Sequence, residues 1–132
     1  CTDDGRSILE KVENRRRDGS TGMIESEWAD IEAWALLSLY FAEKLRGGYY
    51  LHRFRTEGAP LDRRRAVDAL VGARSHWKAL CDNTRPRYAR VPYIERVEEN
   101  FRLDFCWSDY LAEVERDIEK AKTAEYGLFP FA

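Results

Sequence analysis

The sequence predicts an all-α fold, an antiparallel bundle of three main helices plus a short N-terminal helix. Apolar residues recur at the spacing of an α-helix in four stretches, and glycine and proline separate most of these stretches. The most apolar stretch, residues 28–54, is expected at the centre with the other helices around it. A chain of 132 residues has the length of one domain. We therefore expect a single helical domain over residues 1–132, as a segment of a larger polypeptide.

The composition is that of a folded protein with a charged surface. Hydrophobic residues make up 44% of the chain and charged residues 35%. With 22 basic and 24 acidic residues, the net charge of -2 gives no bulk attraction to nucleic acid or to an anionic membrane. The most apolar run, residues 33–42, is shorter than the roughly 20 residues that a membrane-spanning helix needs. We expect neither a nucleic-acid partner nor a membrane span.

The first helix is predicted over residues 7–17. Ser7 is a suitable N-cap, Glu10 is its capping-box partner, and Ile8, Leu9 and Val12 form a short apolar face. Residues 18–22, which include two glycines, then form a loop.

The central helix is predicted to run from Glu25 or Ser26 to about Thr56. Its apolar residues form two adjacent stripes, so we expect neighbouring helices around most of its circumference. One stripe consists of Trp34, Leu37, Phe41, Leu45, Gly48 and Leu51, and the other of Ile31, Ala35, Leu39, Ala42 and Tyr49.

Two glycines, Gly47 and Gly48, interrupt this helix. Each costs about 1 kcal/mol relative to alanine inside a helix, so some other interaction must offset them. Close approach of a neighbouring helix is the favoured explanation, and a kink or a ligand lying on bare backbone are the alternatives. If the pair breaks the helix, residues 49–54 form a short strand instead.

The third helix is predicted over residues 61–81, with Pro60 in its first turn. The short loop before it favours an antiparallel hairpin with the central helix. The last helix is predicted to begin at Ser108 as N-cap, and the apolar tail at 126–132 is expected to pack on this domain or on a neighbour. The core stripes are Ala66, Leu70, Ala73, Trp77 and Leu80 in the third helix, and Leu111, Val114, Ile118 and Ala121 in the last.

A long irregular connection, residues 82–107, is predicted before the last helix. Pro86 and Pro92 restrict its first half to extended conformations. Connections of about 25 residues are uncommon in compact domains and tend to be functional. Because this one is rich in aromatic residues and arginine, it is the best sequence candidate for a binding surface.

No arrangement of residues indicates catalysis. Gly47 and Gly48 lie inside a helical pattern rather than between a strand and a helix, so they do not form a nucleotide-binding loop. His52 and His76 are too few for a His-rich metal site, and each is expected to be a packed interfacial side chain. We predict no catalytic residue, no metal and no cofactor, although a small self-contained enzyme stays an alternative.

The three cysteines, Cys1, Cys81 and Cys106, are too few for a disulfide scaffold or a zinc site. For Cys81 and Cys106 we favour buried free thiols, with a disulfide bridge as the alternative. Cys1 begins the chain without a preceding methionine or signal sequence, so we expect a removed leader or a segment of a longer protein. The acylated cysteine of a bacterial lipoprotein and an arbitrary chain boundary both explain Cys1.

Several short elements go beyond the generic pattern of a helical bundle. They are residues 30–33 (DIEA), 40–47 (YFAEKLRG), 66–67 (AV) with Leu70 and Ala73, 76–78 (HWK) and 117–121 (DIEKA). In this order they resemble the helical domain that lies beyond the catalytic domain in large bacterial carbohydrate-active enzymes. The resemblance implies a non-catalytic accessory module of a secreted or periplasmic polysaccharide-degrading enzyme, such as a glycoside hydrolase. Such a module either packs on the catalytic module or contacts its substrate.

If the module contacts glycan, aromatic faces would stack on sugar rings while arginine binds the hydroxyl groups. The expected glycan-binding residues are Arg85, Arg87, Tyr88, Tyr93 and Trp107 in the connection, supported from the helices by Lys44, Arg46 and His76. The main alternative is a structural or protein-interaction bundle that touches no sugar and binds a neighbouring domain of the same polypeptide.

Overall fold

The computed structural model of the protein describes residues 2–17, 23–87 and 106–127. Four α-helices make up most of these ranges, and a 3₁₀ turn at Trp107–Tyr110 leads into the last of them. The all-α prediction is confirmed, since the described ranges contain helices and turns but no strand. The helices are α1 (Thr2–Arg17), α2 (Met23–Glu57), α3 (Pro60–Thr84) and α4 (Leu111–Lys122).

A tight corner joins α2 to α3 through Gly58 and Ala59. Gly58 adopts φ 76°, a left-handed conformation that glycine tolerates best, and its N–H donates to the Phe54 carbonyl oxygen at 2.8 Å. Pro60 then opens α3, where the first N–H groups need no partner inside the helix. Contacts further along join Tyr40 to Trp77 and residue 32 to residue 83, so the two helices run antiparallel.

α2 and α3 approach each other closely at Gly47. A Cβ atom at this position would lie 2.7 Å from Cγ of Leu70 and 3.4 Å from the Ala66 carbonyl oxygen. The prediction that a neighbouring helix explains the glycine pair is therefore confirmed for Gly47. Gly48 is different, because a Cβ atom there would meet nothing within 4 Å.

The core lies between α2, α3 and α4, with α1 packed on α2. Trp77 of α3 stands at its centre, with its ring centroid 4.7 Å from that of Tyr40, and Val114 of α4 belongs to the same cluster. Gly5 of α1 lies close enough to α2 that a Cβ atom would be 3.1 Å from Cγ of Leu39. The predicted stripe of α3 is buried as expected: Ala66, Leu70, Ala73, Trp77 and Leu80.

Several predicted boundaries are wrong. Since α1 already begins at Thr2, Ser7 lies inside the helix and is not its N-cap. Ser108 lies inside the 3₁₀ turn, where Cys106 is the flanking residue and no side chain caps the first N–H groups. Because α2 continues to Glu57, the alternative of a strand at residues 49–54 is excluded. The tail beyond Gly127 lies outside the described residues.

The prediction that neighbours surround most of α2 is also wrong. Leu36, Leu39 and Tyr40 are buried, but Trp34, Phe41, Leu45 and Tyr49 are exposed although all four belong to the two predicted stripes. The reason lies in the number of helices. α3 and α1 pack along two sides of α2, and among the described residues nothing covers the remaining side.

Candidate functional site

An exposed apolar face on α2 is the most distinctive surface of the described protein. Its exposed fractions are 70% for Trp34, 73% for Leu45 and between 40% and 58% for the other three members. Single exposed apolar residues are common, but a contiguous row of large ones on one helix is not. We call this face the α2 stripe, and its residues are Ile31, Trp34, Phe41, Leu45 and Tyr49.

Four of the five residues of the α2 stripe, all except Tyr49, lie in a row of heptad positions that also includes Ser38 and Gly48. Starting at Ile31, successive steps of three and four residues lead through Trp34, Ser38, Phe41 and Leu45 to Gly48, and each of these positions is exposed. Spacing of this kind places side chains in one row along a helix, over about 25 Å here. The Ser38 hydroxyl donates to the Trp34 carbonyl oxygen at 2.8 Å, so this small residue leaves no unsatisfied hydroxyl in the row.

Lys44 lies beside the α2 stripe and ties α2 to α4. Its ammonium group donates to the Tyr40 hydroxyl at 3.1 Å and pairs with Asp117 at 3.1 Å. Partial burial lowers the pKa of Lys44, but these interactions with Tyr40 and Asp117 outweigh it and leave the pKa raised. The residue expected to support a glycan therefore holds two helices together.

Arg46 and His76, the other two expected supporting residues, lie near Glu43. Arg46 donates to both carboxylate oxygens of Glu43, at 3.0 and 3.2 Å, and Glu43 is buried against Gly72 of α3. Burial lowers the pKa of His76, and the positive charge of Arg6 adds to this effect while Glu43 opposes it. His76 is thus a partly buried side chain between elements, in agreement with its expected packing role.

Trp107 packs against the core and is half-buried. Its ring centroid lies 5.5 Å from that of Trp77 in an edge-to-face arrangement, and its carbonyl oxygen accepts a hydrogen bond from the Trp77 indole at 3.0 Å. The geometry fixes the 3₁₀ turn to α3.

Arg85 and Arg87 lie in the turn that ends α3, and both are exposed. Arg85 pairs with Asp82 at 3.7 Å, and Arg87 donates to the Asn83 carbonyl oxygen at 2.7 Å. This end of α3 lies beside residue 32 of α2, whereas Lys44 is about 18 Å further along that helix. The two arginines are therefore near each other but not near Lys44 or Arg46. Tyr88 and Tyr93 lie outside the described residues.

The sequence contained a signal for the α2 stripe. Its apolar residues repeat at helical spacing, and this spacing predicts burial in the core. Ser38 places a polar residue in the middle of the row, but small residues such as Ala66 and Ala73 also occur in the buried stripe of α3, so the interruption does not distinguish the two faces. Spacing alone identifies an apolar face, whereas covering that face requires another element.

The described residues offer little reactive chemistry. They contain no group of three or more His, Cys, Asp or Glu residues that could hold a metal ion. None of the helices in these ranges is long and apolar enough to cross a membrane. Neither Cys81 nor Cys106 forms a disulfide bridge within the described residues, and burial raises the pKa of Cys81.

Comparisons with known proteins do not assign a family. No protein-family model, curated protein or solved structure matches the chain significantly.

Proposed function

We propose that this chain is a non-catalytic helical interaction module that docks on another protein surface through the α2 stripe. The observation that carries the proposal is the exposed row of five large apolar side chains on one helix. Apolar patches of this extent are typical of protein-interaction sites. Tryptophan and tyrosine, both present in the row, are enriched among the residues that dominate binding energy.

Contacts on the opposite side of α2 hold the helix that carries the stripe in a fixed position. Gly47 allows α3 to approach closely, and Tyr40 packs against Trp77 while Lys44 joins α2 to Asp117 of α4. A partner therefore meets side chains on a helix that is already fixed, which reduces the entropy lost on binding.

This role fits the resemblance to accessory modules of secreted or periplasmic carbohydrate-active enzymes. In the proposal, the three main helices form an antiparallel bundle, and the α2 stripe is the face that the bundle presents to its partner. A neighbouring domain of the same polypeptide is one such partner.

Site-specific photocrosslinking tests the proposal. A photoreactive amino acid replaces Leu45 or Trp34 in the protein produced in its native cells, and the control carries the same group at Ser75, an exposed position on α3. We expect crosslinked protein products at positions 34 and 45 but not at 75. The absence of any product at the two stripe positions would contradict the proposal.

Glycan contact at the end of α3 is a second candidate function. It is favoured by the exposure of Arg85 and Arg87, two guanidinium groups that the turn brings into one region. Calorimetric titration with a panel of plant, algal and host glycans tests it, comparing the wild type with Arg85→Ala and Arg87→Ala. Arg116→Ala, an exposed arginine on α4, is the matched control. Saturable binding that only the first two substitutions weaken is expected, and the absence of binding by the folded wild type overturns this candidate.

A further inference from the structure

We propose that the partner of the α2 stripe is a second copy of this chain, bound through its own α2 stripe with the two α2 helices antiparallel. This inference rests on the proposed function, because it names the partner of the same surface. Three observations support it: the order of large and small residues along the row, the distribution of charge along α2, and the exposed area.

The order of side chains in the row is self-complementary. In an antiparallel pair of helices with heptad spacing, the a positions of one helix lie opposite the d positions of the other. A twofold axis passing between Ser38 and Phe41 then places two large residues opposite small residues of the partner, namely Ile31 at the ends of the row and Phe41 at its centre. The resulting layers are Ile31 with the partner's Gly48, Trp34 with the partner's Leu45, and Ser38 with the partner's Phe41, each repeated by symmetry.

This arrangement accounts for Gly48. Inside a helix this glycine costs about 1 kcal/mol relative to alanine, and a Cβ atom there would meet nothing within 4 Å. Packing within the described part of one copy therefore gives no reason for it, unlike Gly47. In the antiparallel pair, Gly48 provides the space for the partner's Ile31. Ser38 in the same way provides space for the partner's Phe41.

The charge along α2 favours the antiparallel orientation over the parallel one. Residues 27–42 contain three acidic residues, Glu27, Asp30 and Glu32, and they contain no basic residue. Residues 43–57 contain four basic residues and two acidic ones, and so are positive overall. An antiparallel pair brings the acidic half of each helix near the basic half of the other, whereas a parallel pair brings like charge near like charge. This is an attraction between halves of the helices and not a set of direct ion pairs, because Lys44 pairs with Asp117 and Arg46 with Glu43 inside each chain.

The exposed area is sufficient for a dimer. Large aromatic side chains bury about 150 to 250 Å² each when covered. At the exposed fractions of the four large residues in these layers, Ile31, Trp34, Phe41 and Leu45, this corresponds to about 470 Å² per chain and about 940 Å² for the pair, which is the size of a weak interface. We therefore expect a dissociation constant in the micromolar range.

Two single variants and their mixture test both the dimer and its orientation. Trp34→Lys and Leu45→Glu each place unpaired charges opposite apolar residues twice per dimer, so each variant alone should be monomeric. When the two variants are mixed, one layer keeps tryptophan opposite leucine and the other pairs lysine with glutamate. Mixing should therefore restore the dimer. The two altered positions are about 16 Å apart along one helix, so they do not pair within a chain.

Sedimentation velocity from about 1 to 200 μM, a range that brackets a micromolar dissociation constant, provides the measurement. Far-UV circular dichroism confirms that each variant is folded, and Ser75→Glu is the surface control. We expect a concentration-dependent dimer for the wild type and the control, monomers for each variant alone, and a dimer for the mixture. As a second test, Phe41→Ser should weaken the dimer at least tenfold, and adding Ser38→Phe in the same chain should restore it because the layer is only reversed.

A folded wild type that stays monomeric over the whole range overturns the dimer. A dimer that persists in both single variants, or two monomeric variants that do not associate when mixed, overturns the antiparallel stripe interface. Photocrosslinks from position 45 to a different protein, together with a monomeric wild type, would overturn this inference while supporting the proposed function. The absence of crosslinks at positions 34 and 45 would contradict both.

Discussion

The indole nitrogen of Trp77 donates a hydrogen bond to the carbonyl oxygen of Trp107 at 3.0 Å. Trp77 is 7% exposed, and its ring also contacts the rings of Tyr40 and Trp107. One side chain of α3 therefore connects α2 on one side with the turn before α4 on the other.

Replacing Trp77 by phenylalanine should destabilise the protein by about 1 to 3 kcal/mol. The change removes the hydrogen bond, leaves a carbonyl oxygen without its partner and removes core volume. Urea denaturation measures the free energy of unfolding, and Trp34→Phe on the exposed α2 stripe is the matched control. At a concentration that keeps the chain monomeric, the control should change stability by less than about 0.5 kcal/mol. Equal effects at the two positions would contradict the assigned role of Trp77.

The adjacent glycines should respond to alanine in opposite directions. Gly47→Ala places a methyl group 2.7 Å from Cγ of Leu70, so we expect a loss of about 1 to 3 kcal/mol from overpacking. Gly48→Ala meets no atom within 4 Å and should raise the stability of the monomer by up to about 1 kcal/mol. Thermal unfolding in the Leu45→Glu background removes any contribution from dimerisation. A stabilising Gly47→Ala would show that α2 and α3 are not in close contact here.

Stability should depend on pH through His76. Burial lowers the pKa of His76 below its ordinary value of 6.5, so the unfolded chain binds a proton more readily than the folded one. The contribution of the neutral histidine to the free energy of unfolding is fully present above about pH 6.5. It is lost as the pH falls from about 6.5 to the lower pKa of His76 in the folded protein. Stability should therefore rise as the pH is raised through this window.

Denaturant unfolding of wild type and His76→Gln at pH values from about 5 to 8, which span the ordinary histidine pKa, tests this dependence. The glutamine variant should lose much of the rise, because the group that titrates is gone. His52 is exposed on α2, and His52→Gln is the control for removing a histidine at another position. Parallel profiles for wild type and His76→Gln would show that His76 does not titrate differently in the folded state.

The two described cysteines should react with thiol reagents at different rates. Cys81 is buried and its burial raises the pKa of the thiol, whereas Cys106 is partly exposed. Because the thiolate is the reactive form, Cys106 should be alkylated first. Time-resolved alkylation followed by peptide mass spectrometry measures both sites in one sample. Denaturant should remove the difference, and faster reaction of Cys81 in the folded protein would contradict its placement in the core.

The sequence was sufficient to predict α3 and its buried face. The steps of four and three residues from Ala66 to Leu80 predict one apolar face along the helix, and all five residues are buried because α2 and α4 both pack on α3. The pairing of α2 with α3 was likewise predictable, because the loop between them contains only Gly58 and Ala59. Close packing was the favoured explanation for the cost of the glycine pair inside a helix, and it holds at Gly47 but not at Gly48.

The exposed state of Trp34 and Leu45 was not predictable from the same signals. Hydrophobic periodicity shows that a face is apolar, and burial depends on whether another element reaches that face.

The predicted N-caps were wrong because the sequence signals did not locate where each helical turn begins. Ser7 and Ser108 have the right side chain for a cap, but the helical turn begins before each of them. The expected glycan site is not brought together as predicted. Arg85 and Arg87 lie at the end of α3, whereas Lys44 pairs with Asp117 of α4 and Arg46 pairs with Glu43.

The corner at Gly58 and Ala59 also determines how the α2–α3 pair can fold. Phe54 and Arg63, on either side of the corner, are in contact. Contacts further from the corner join residues that are further apart in sequence, up to a separation of 51 for residues 32 and 83. The entropic cost of closing a loop grows only slowly with its length. Each contact that forms shortens the effective loop for the next, so pairing can spread outward from the corner by small steps. Helical proteins rich in local contacts fold rapidly, and we expect the end of α2 that carries Trp34 to be the last part to pair.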